Sequence, residues 1–162
     1  MAHPLRFANL VARIALLAAT VVLAGCFGGG RNHPINPPNA SIQLLEVQPD
    51  GRWKVTLRLE NFSDLTQHYS TLKANLRISG IDTGEISLNP EMDVPGLNAD
   101  TIDTTITPGG DLHKAFALDA KSPGGVPYEL KGTIAIRGAN KDFKFEHKSR
   151  LSPVPGIPNQ YR

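Results

Sequence analysis

Along the middle of the chain, apolar residues fall on every second position. From Arg52 to Glu60 the odd positions Trp53, Val55, Leu57 and Leu59 are apolar, and the even positions Lys54, Thr56, Arg58 and Glu60 are polar. A period of two sends alternate side chains to opposite faces of a strand, whereas a helix would scatter this set around its circumference. The alternation recurs at Leu72, Ala74, Leu76 and Ile78, at Tyr128, Leu130, Ile134 and Ile136, and at Phe143 and Phe145. Four segments with one wet face each predict antiparallel sheets.

Shorter stretches at 41–48, 84–89 and 99–107 complete the set. In the first, Ile42 and Leu44 share one phase while Leu45 and Val47 share the other, which predicts a bulge at the two leucines. Turn chemistry separates the segments at Pro49-Asp50-Gly51, Gly80-Ile81-Asp82, Pro108-Gly109-Gly110 and Pro123-Gly124-Gly125. About seven strands at this spacing predict an all-β, antiparallel β-sandwich of the fibronectin III or immunoglobulin-like kind, with room for one short helix. The segment 111–120 fits a strand through Leu112, Phe116, Leu118 and Ala120. It also fits a helical stripe of Leu112, Ala115 and Phe116 behind Asp111. Its shortness and the Pro-Gly-Gly sequence on both sides favour the strand.

The amino-terminal residues break the pattern. Arg6 and Arg13 precede an apolar stretch from Ile14 to Leu23, the layout of a secretory signal. That stretch is too short to cross a bilayer core, which takes about 20 residues. It ends in Leu23-Ala24-Gly25-Cys26, which resembles the lipobox of bacterial lipoproteins. The resemblance implies cleavage between Gly25 and Cys26 and a diacylglycerol on the thiol of Cys26, the one cysteine of the chain. Phe27, rather than aspartate, follows. The implied address is the bacterial cell envelope, at the outer membrane facing the periplasm.

A signal at 1–25 leaves three parts. Residues 26–39 read as a lipidated cysteine and a flexible tether, with slack at Gly28-Gly29-Gly30 and extended geometry at Pro34, Pro37 and Pro38. Residues 40–152 form the domain, and Pro153, Pro155 and Pro158 mark 153–162 as a loose tail. Without its first 25 residues the chain carries 15 basic and 15 acidic residues, so net charge implies no nucleic-acid partner. The charges are segregated, with nine acids and two lysines from Asp82 to Glu129, then seven bases and two acids from Lys131 to Arg162. Antiparallel strands from these two stretches can neutralise each other.

The order of the pieces carries a resemblance of its own. An opening strand from Ile42 to Val47, a second strand ending in Leu59-Glu60-Asn61, the stretch Pro127-Tyr128-Glu129-Leu130-Lys131-Gly132 and a close from Phe145 to Leu151 resemble the type 2 late embryogenesis abundant (LEA) family. The family is also called the water stress and hypersensitive response (WHy) domain, and the likeness spans residues 39–153. It implies a single β-sandwich that protects cells or macromolecules under stress without catalysis. Members usually carry Asn-Pro-Asn after the second strand, where this chain reads Asn61-Phe62-Ser63. Asn61 retains a side chain able to bond the turning backbone, and loss of the proline makes the turn less rigid.

No catalytic set, metal site or cofactor emerges. His3, His33, His68, His113 and His147 lie far apart, and none joins a cysteine or carboxylate at a metal-site spacing. No Gly-x-Ser-x-Gly elbow is present. His147, in phase with Phe143 and Phe145, reads as a partly buried histidine bonded to a backbone carbonyl. Asp100 and Asp103, among Thr101, Thr104 and Thr105, read as a solvated strand face. The functional expectation is a non-enzymatic, lipid-anchored envelope protein that protects client proteins or the membrane under desiccation, cold or other stress. The alternative is an envelope module that docks a specific protein partner through the wet face bearing Arg52, Lys54 and Arg58.

Overall fold

The computed structural model describes residues 34–162. The signal expected at 1–25, with cleavage after Gly25, the lipidation expected at Cys26 and the first part of the expected tether lie outside them. The described chain runs β1 (Asn39–Val47), β2 (Trp53–Asn61), β3 (Gln67–Ile78), β4 (Ile81–Leu88), β5 (Met92–Val94), β6 (Asn98–Ile106), α1 (Gly110–Asp119), β7 (Val126–Ile136), β8 (Phe143–Leu151) and β9 (Gln160–Tyr161). One sheet has the order β6-β2-β1-β9 and the other β4-β3-β7-β8, with β5 also paired to β3. Every pairing is antiparallel. The fold is an all-β sandwich with one short helix.

Alternation in the sequence becomes burial in the structure. Trp53, Val55, Leu57 and Leu59 of β2 are fully buried, facing Tyr69, Leu72, Leu76 and Ile78 of β3 and Leu130 and Ile134 of β7. Each such side chain contributes roughly 1.5–3 kcal/mol on leaving water, which makes this layer the main source of stability. The inward row of β7 is interrupted at Gly132, opposite Ala74 on one side and Phe145 on the other. A Cβ there would lie 2.0 Å from the Lys73 carbonyl oxygen and 2.9 Å from the Ala74 Cβ. Gly132 thus permits a closer approach of β3 and β7 than any side chain would.

Four features differ from the sequence expectation. The bulge in β1 falls between Ile42 and Leu44, one position before the two leucines, and lets both Ile42 and Leu45 point inward. The segment 111–120 is not a strand: it is α1, in which Leu112 and Phe116, one turn apart, are buried and Leu118 is solvent-exposed. Tertiary packing decided this, because Phe116 packs against Trp53 with the rings tilted at 49° and 4.5 Å apart, and meets Tyr161 edge-on at 4.8 Å. Among the described residues the strand count reaches nine because two short strands, β5 and β9, carry too few residues to show a period.

The fourth difference concerns the ends. Residues 153–162 do not form a loose tail: the prolines make a turn that brings β9 back onto β1, pairing Leu45 with Tyr161, while Pro153 bridges Tyr161. Arg162 closes the turn through reciprocal bonds with Ser152, each about 2.9 Å or less. At the other end the domain begins before residue 40. Ile35 packs against the core, and Asn36 is bonded to the loop after β2.

Candidate functional site

The loop that follows β2 is built on one side chain. Asn61 is 1% exposed, yet it is polar and ends a strand. Its Nδ2 donates to the carbonyl oxygens of Leu65 at 2.9 Å, Val94 at 3.0 Å and Pro95 at 3.2 Å, and its Oδ1 accepts from Ser63 N at 2.9 Å. Two hydrogens serve three acceptors, so one is shared. Ser63, equally buried, extends the hub: its Oγ accepts from Asn36 N at 3.0 Å and its carbonyl from Leu97 N at 2.9 Å. Asn36 also donates from Nδ2 to the Phe62 carbonyl at 2.7 Å. Three segments far apart in sequence are therefore tied at one pole of the sandwich: the entering chain, the loop 62–66 and the turn 95–97.

This polar hub carries an apolar exterior. Phe62 is 48% exposed, Leu65 47% and Leu97 76%. Leu97 also sits at φ 54°, a left-handed conformation that costs a branched aliphatic residue far more than glycine or asparagine. The turn is packed hard against the neighbouring loop, since a Cβ on Gly96 would lie 2.3 Å from the Asp64 carbonyl oxygen. The sequence identified Asn61 as the turn residue. Its reach to Val94 and Pro95 depends on β5 pairing with β3, which short β5 left unreadable.

The charged groups are mostly engaged with one another. On the wet face of β2, Lys54 pairs with Asp103 at 2.8 Å, Arg52 with Asp50 at 2.7 Å and Arg58 with Glu60 at 3.3 Å. Hydrogen bonds from Lys54 and Thr56 hold the Asp103 carboxyl below its usual range, and Asp103 in turn raises Lys54. This face is thus a neutralised ladder and not a bare basic patch. Asp103 faces solvent on β6, as does Asp100. On the other sheet Lys148 lies between Glu146 at 2.8 Å and Glu129 at 3.5 Å, and Lys131 pairs with Glu146 at 3.3 Å. Of these pairs, Glu129–Lys148 joins the acidic stretch to the basic one across β7 and β8, while both Glu146 pairs lie within the basic stretch.

Two histidines acquire partners that spacing did not reveal. His68 on β3 faces Asp93 across the β3–β5 pair, with Nδ1 2.7 Å from Asp93 and Nε2 3.0 Å from Glu91; Arg137 also pairs with Glu91. The hydrogen bond to Glu91, then that to Asp93, raises the imidazole above its ordinary pKa. The two carboxylates occupy opposite ring nitrogens, so they clamp the ring and do not converge on a shared ion. Among the described residues no group of three His, Cys, Asp or Glu side chains is placed to hold a metal. His147 is half-buried over Tyr128, with ring centroids 5.9 Å apart, and its Nδ1 accepts from the Asn39 side-chain amide at 3.3 Å, in place of the expected donation to a backbone carbonyl.

An open depression of about 740 Å³ lies where β3, β7 and β8 meet, lined by Arg77, Tyr128, Glu129, Lys148 and Arg150 among others. Arg150 is spent on the carbonyls of Gly124 and Gly125, at 3.0 and 3.2 Å, and Lys148 on its two glutamates.

No protein-family model and no curated protein matches the chain. Solved structures do. The solution structure of a protein from Arabidopsis thaliana superposes with a TM-score of 0.52 at 13% identity, covering 80% of this chain and 92% of that one. A crystal structure of a protein from Archaeoglobus fulgidus gives 0.41 at 14% identity, covering 72% and 94%. The solution structure of a candidate late embryogenesis abundant protein gives 0.44 at 12% identity, covering 85% and 82%. At these identities the first likeness speaks for the fold alone.

Proposed function

We propose that this is a lipid-anchored envelope protein whose LEA type 2-like domain protects proteins or the membrane during desiccation, cold or related stress, without catalysis. The observation that carries the reading is Leu23-Ala24-Gly25-Cys26 placed ahead of a β-sandwich whose second strand closes on the Asn61 turn. The cleaved chain would begin at a diacylglyceryl Cys26, and several acyl chains, at roughly 0.8 kcal/mol per buried methylene, hold a protein on a membrane far longer than one. Anchored there, a sandwich with neutralised wet faces keeps clients apart by steric exclusion and meets exposed apolar surface through its own apolar residues.

Two measurements test this reading. Fatty-acid labelling of the wild type and of Cys26→Ser should differ, and persistent label in the variant refutes lipidation. Cells lacking the protein should lose more activity of a freeze-sensitive envelope enzyme on drying or freezing than cells expressing it; equal loss removes the protective role. A second reading, docking of one protein partner, is favoured by the depression at Arg77, Glu129 and Lys148. Crosslinking that recovers a single stoichiometric partner, lost in Arg77→Glu, would select it.

A further inference from the structure

The geometry points to the Phe62, Leu65 and Leu97 pole as a membrane-contacting tip that seats the domain on the lipid surface. This inference takes its orientation from the anchored reading. The loops 62–66 and 95–97 are bonded to each other through Leu97 N and the Ser63 carbonyl, and both are bonded to Asn61. Their exposed side chains are therefore presented together by a fixed backbone and not by a mobile loop. Apolar groups held out on turn tips penetrate an interface, where they can sink to the boundary of headgroups and acyl chains.

Three observations select a lipid surface as the occupant. The chain enters the domain at this pole: Asn36, ten residues after Cys26, is bonded to Phe62 and Ser63. At no more than ~3.6 Å per residue, those ten residues put this pole within ~36 Å of an anchored Cys26. Leu97 is held in a left-handed conformation with three-quarters of its surface in water, an arrangement with two costs that burial in an interface would offset. Neither loop carries a lysine or arginine, and Asp64 lies within the first, so the contact is made by apolar insertion and not by attraction to anionic headgroups.

The test uses the full chain reconstituted on phosphatidylcholine vesicles containing a dibrominated phosphatidylcholine, which quenches tryptophan on contact. Phe62→Trp should show blue-shifted emission and lose about half of it to the brominated lipid, as expected for insertion at an interface. Leu118→Trp, exposed on α1 at the opposite pole, should be unaffected, and buried Trp53 supplies the constant background. A Phe62→Trp probe that stays unquenched, or is quenched no more than Leu118→Trp, overturns the inference. A blue shift without quenching marks a protein occupant, either a client or a second copy, and overturns it equally. Fatty-acid labelling of Cys26 is scored on the same samples. Label without quenching removes the tip and leaves the anchor, and quenching without label removes the anchor and leaves the tip. Leu65→Ser with Leu97→Ser in the Phe62→Trp chain should abolish the quenching while the melting temperature reports that the sandwich is intact.

Discussion

The Asn61 side-chain amide donates to the carbonyl of Pro95 at 3.2 Å and so joins two connections 34 residues apart in sequence. With Val94, Leu65 and Ser63 as further partners, one buried polar side chain replaces the backbone bonds that neither connection can make for itself. The apolar pole is shaped by this polar centre.

Removing that centre should be costly. Asn61→Ala leaves several buried backbone groups unpaired and is expected to destabilise the domain by about 2–4 kcal/mol. In urea denaturation this appears as a lower midpoint with an unchanged slope. Asn61→Asp keeps the acceptor for Ser63 but sets a carboxylate against three carbonyls. Its folded pKa is raised, so the variant should recover stability as pH falls through that value, while Asn61→Ala should not.

Gly132→Ala should be among the most damaging single-methyl additions in the chain. The added carbon meets backbone atoms of Lys73 and Ala74, which cannot swing aside as a side-chain terminus could. Separation of β3 from β7 is expected to cost about 3 kcal/mol or more. The same substitution at Gly138, where the space is open but φ is 85°, should cost about 1 kcal/mol through conformation alone. Thermal unfolding of both variants checks the contrast.

The Tyr128 hydroxyl, on the β7 side of the core, accepts from Ile42 N at 3.2 Å beside the β1 bulge. Tyr128→Phe preserves the packing and orphans that N–H, for an expected loss of about 1–2 kcal/mol. Amide hydrogen exchange at Ile42 should accelerate selectively. Uniform acceleration across β1 would mean the bond does not act locally.

His68 should make stability depend on pH. Its folded pKa is raised by Glu91 and Asp93, so the stabilisation is fully present below the ordinary histidine value and is lost as pH rises through the higher folded value. Glu91, lowered chiefly by His68, acts in the opposite sense and loses its contribution as pH falls through its own folded value. The melting temperature should decline as pH rises from the ordinary histidine value through the higher folded one, and His68→Gln should flatten that decline. An NMR titration in which His68 shows the ordinary histidine pKa would remove the basis for this expectation.

How much of this was legible in the sequence follows from which forces are periodic. The long strands β2, β3, β7 and β8 could be read because a half-buried sheet imposes a period of two on every residue, and their registers then bury what the pattern marks as apolar. Asn61 was readable as a turn residue. Its partners were not, because hydrogen bonds to carbonyls 33 and 34 residues away leave no periodic trace. His68 was hidden for the same reason: its carboxylates become neighbours only when β5 folds onto β3.

The sequence by itself therefore determined the class of fold and the wet and dry faces of the long strands, since each is a periodic consequence of side-chain chemistry. Only the tertiary structure decided that 110–119 is helical, because the ring of Trp53 and the return of Tyr161 offered Phe116 a better surface than a sheet edge. It also decided that the proline-rich end closes the sandwich and that Phe62, Leu65 and Leu97 share one pole. Long-range packing energy, summed over contacts between distant segments, outweighed weak local preference at each of these places.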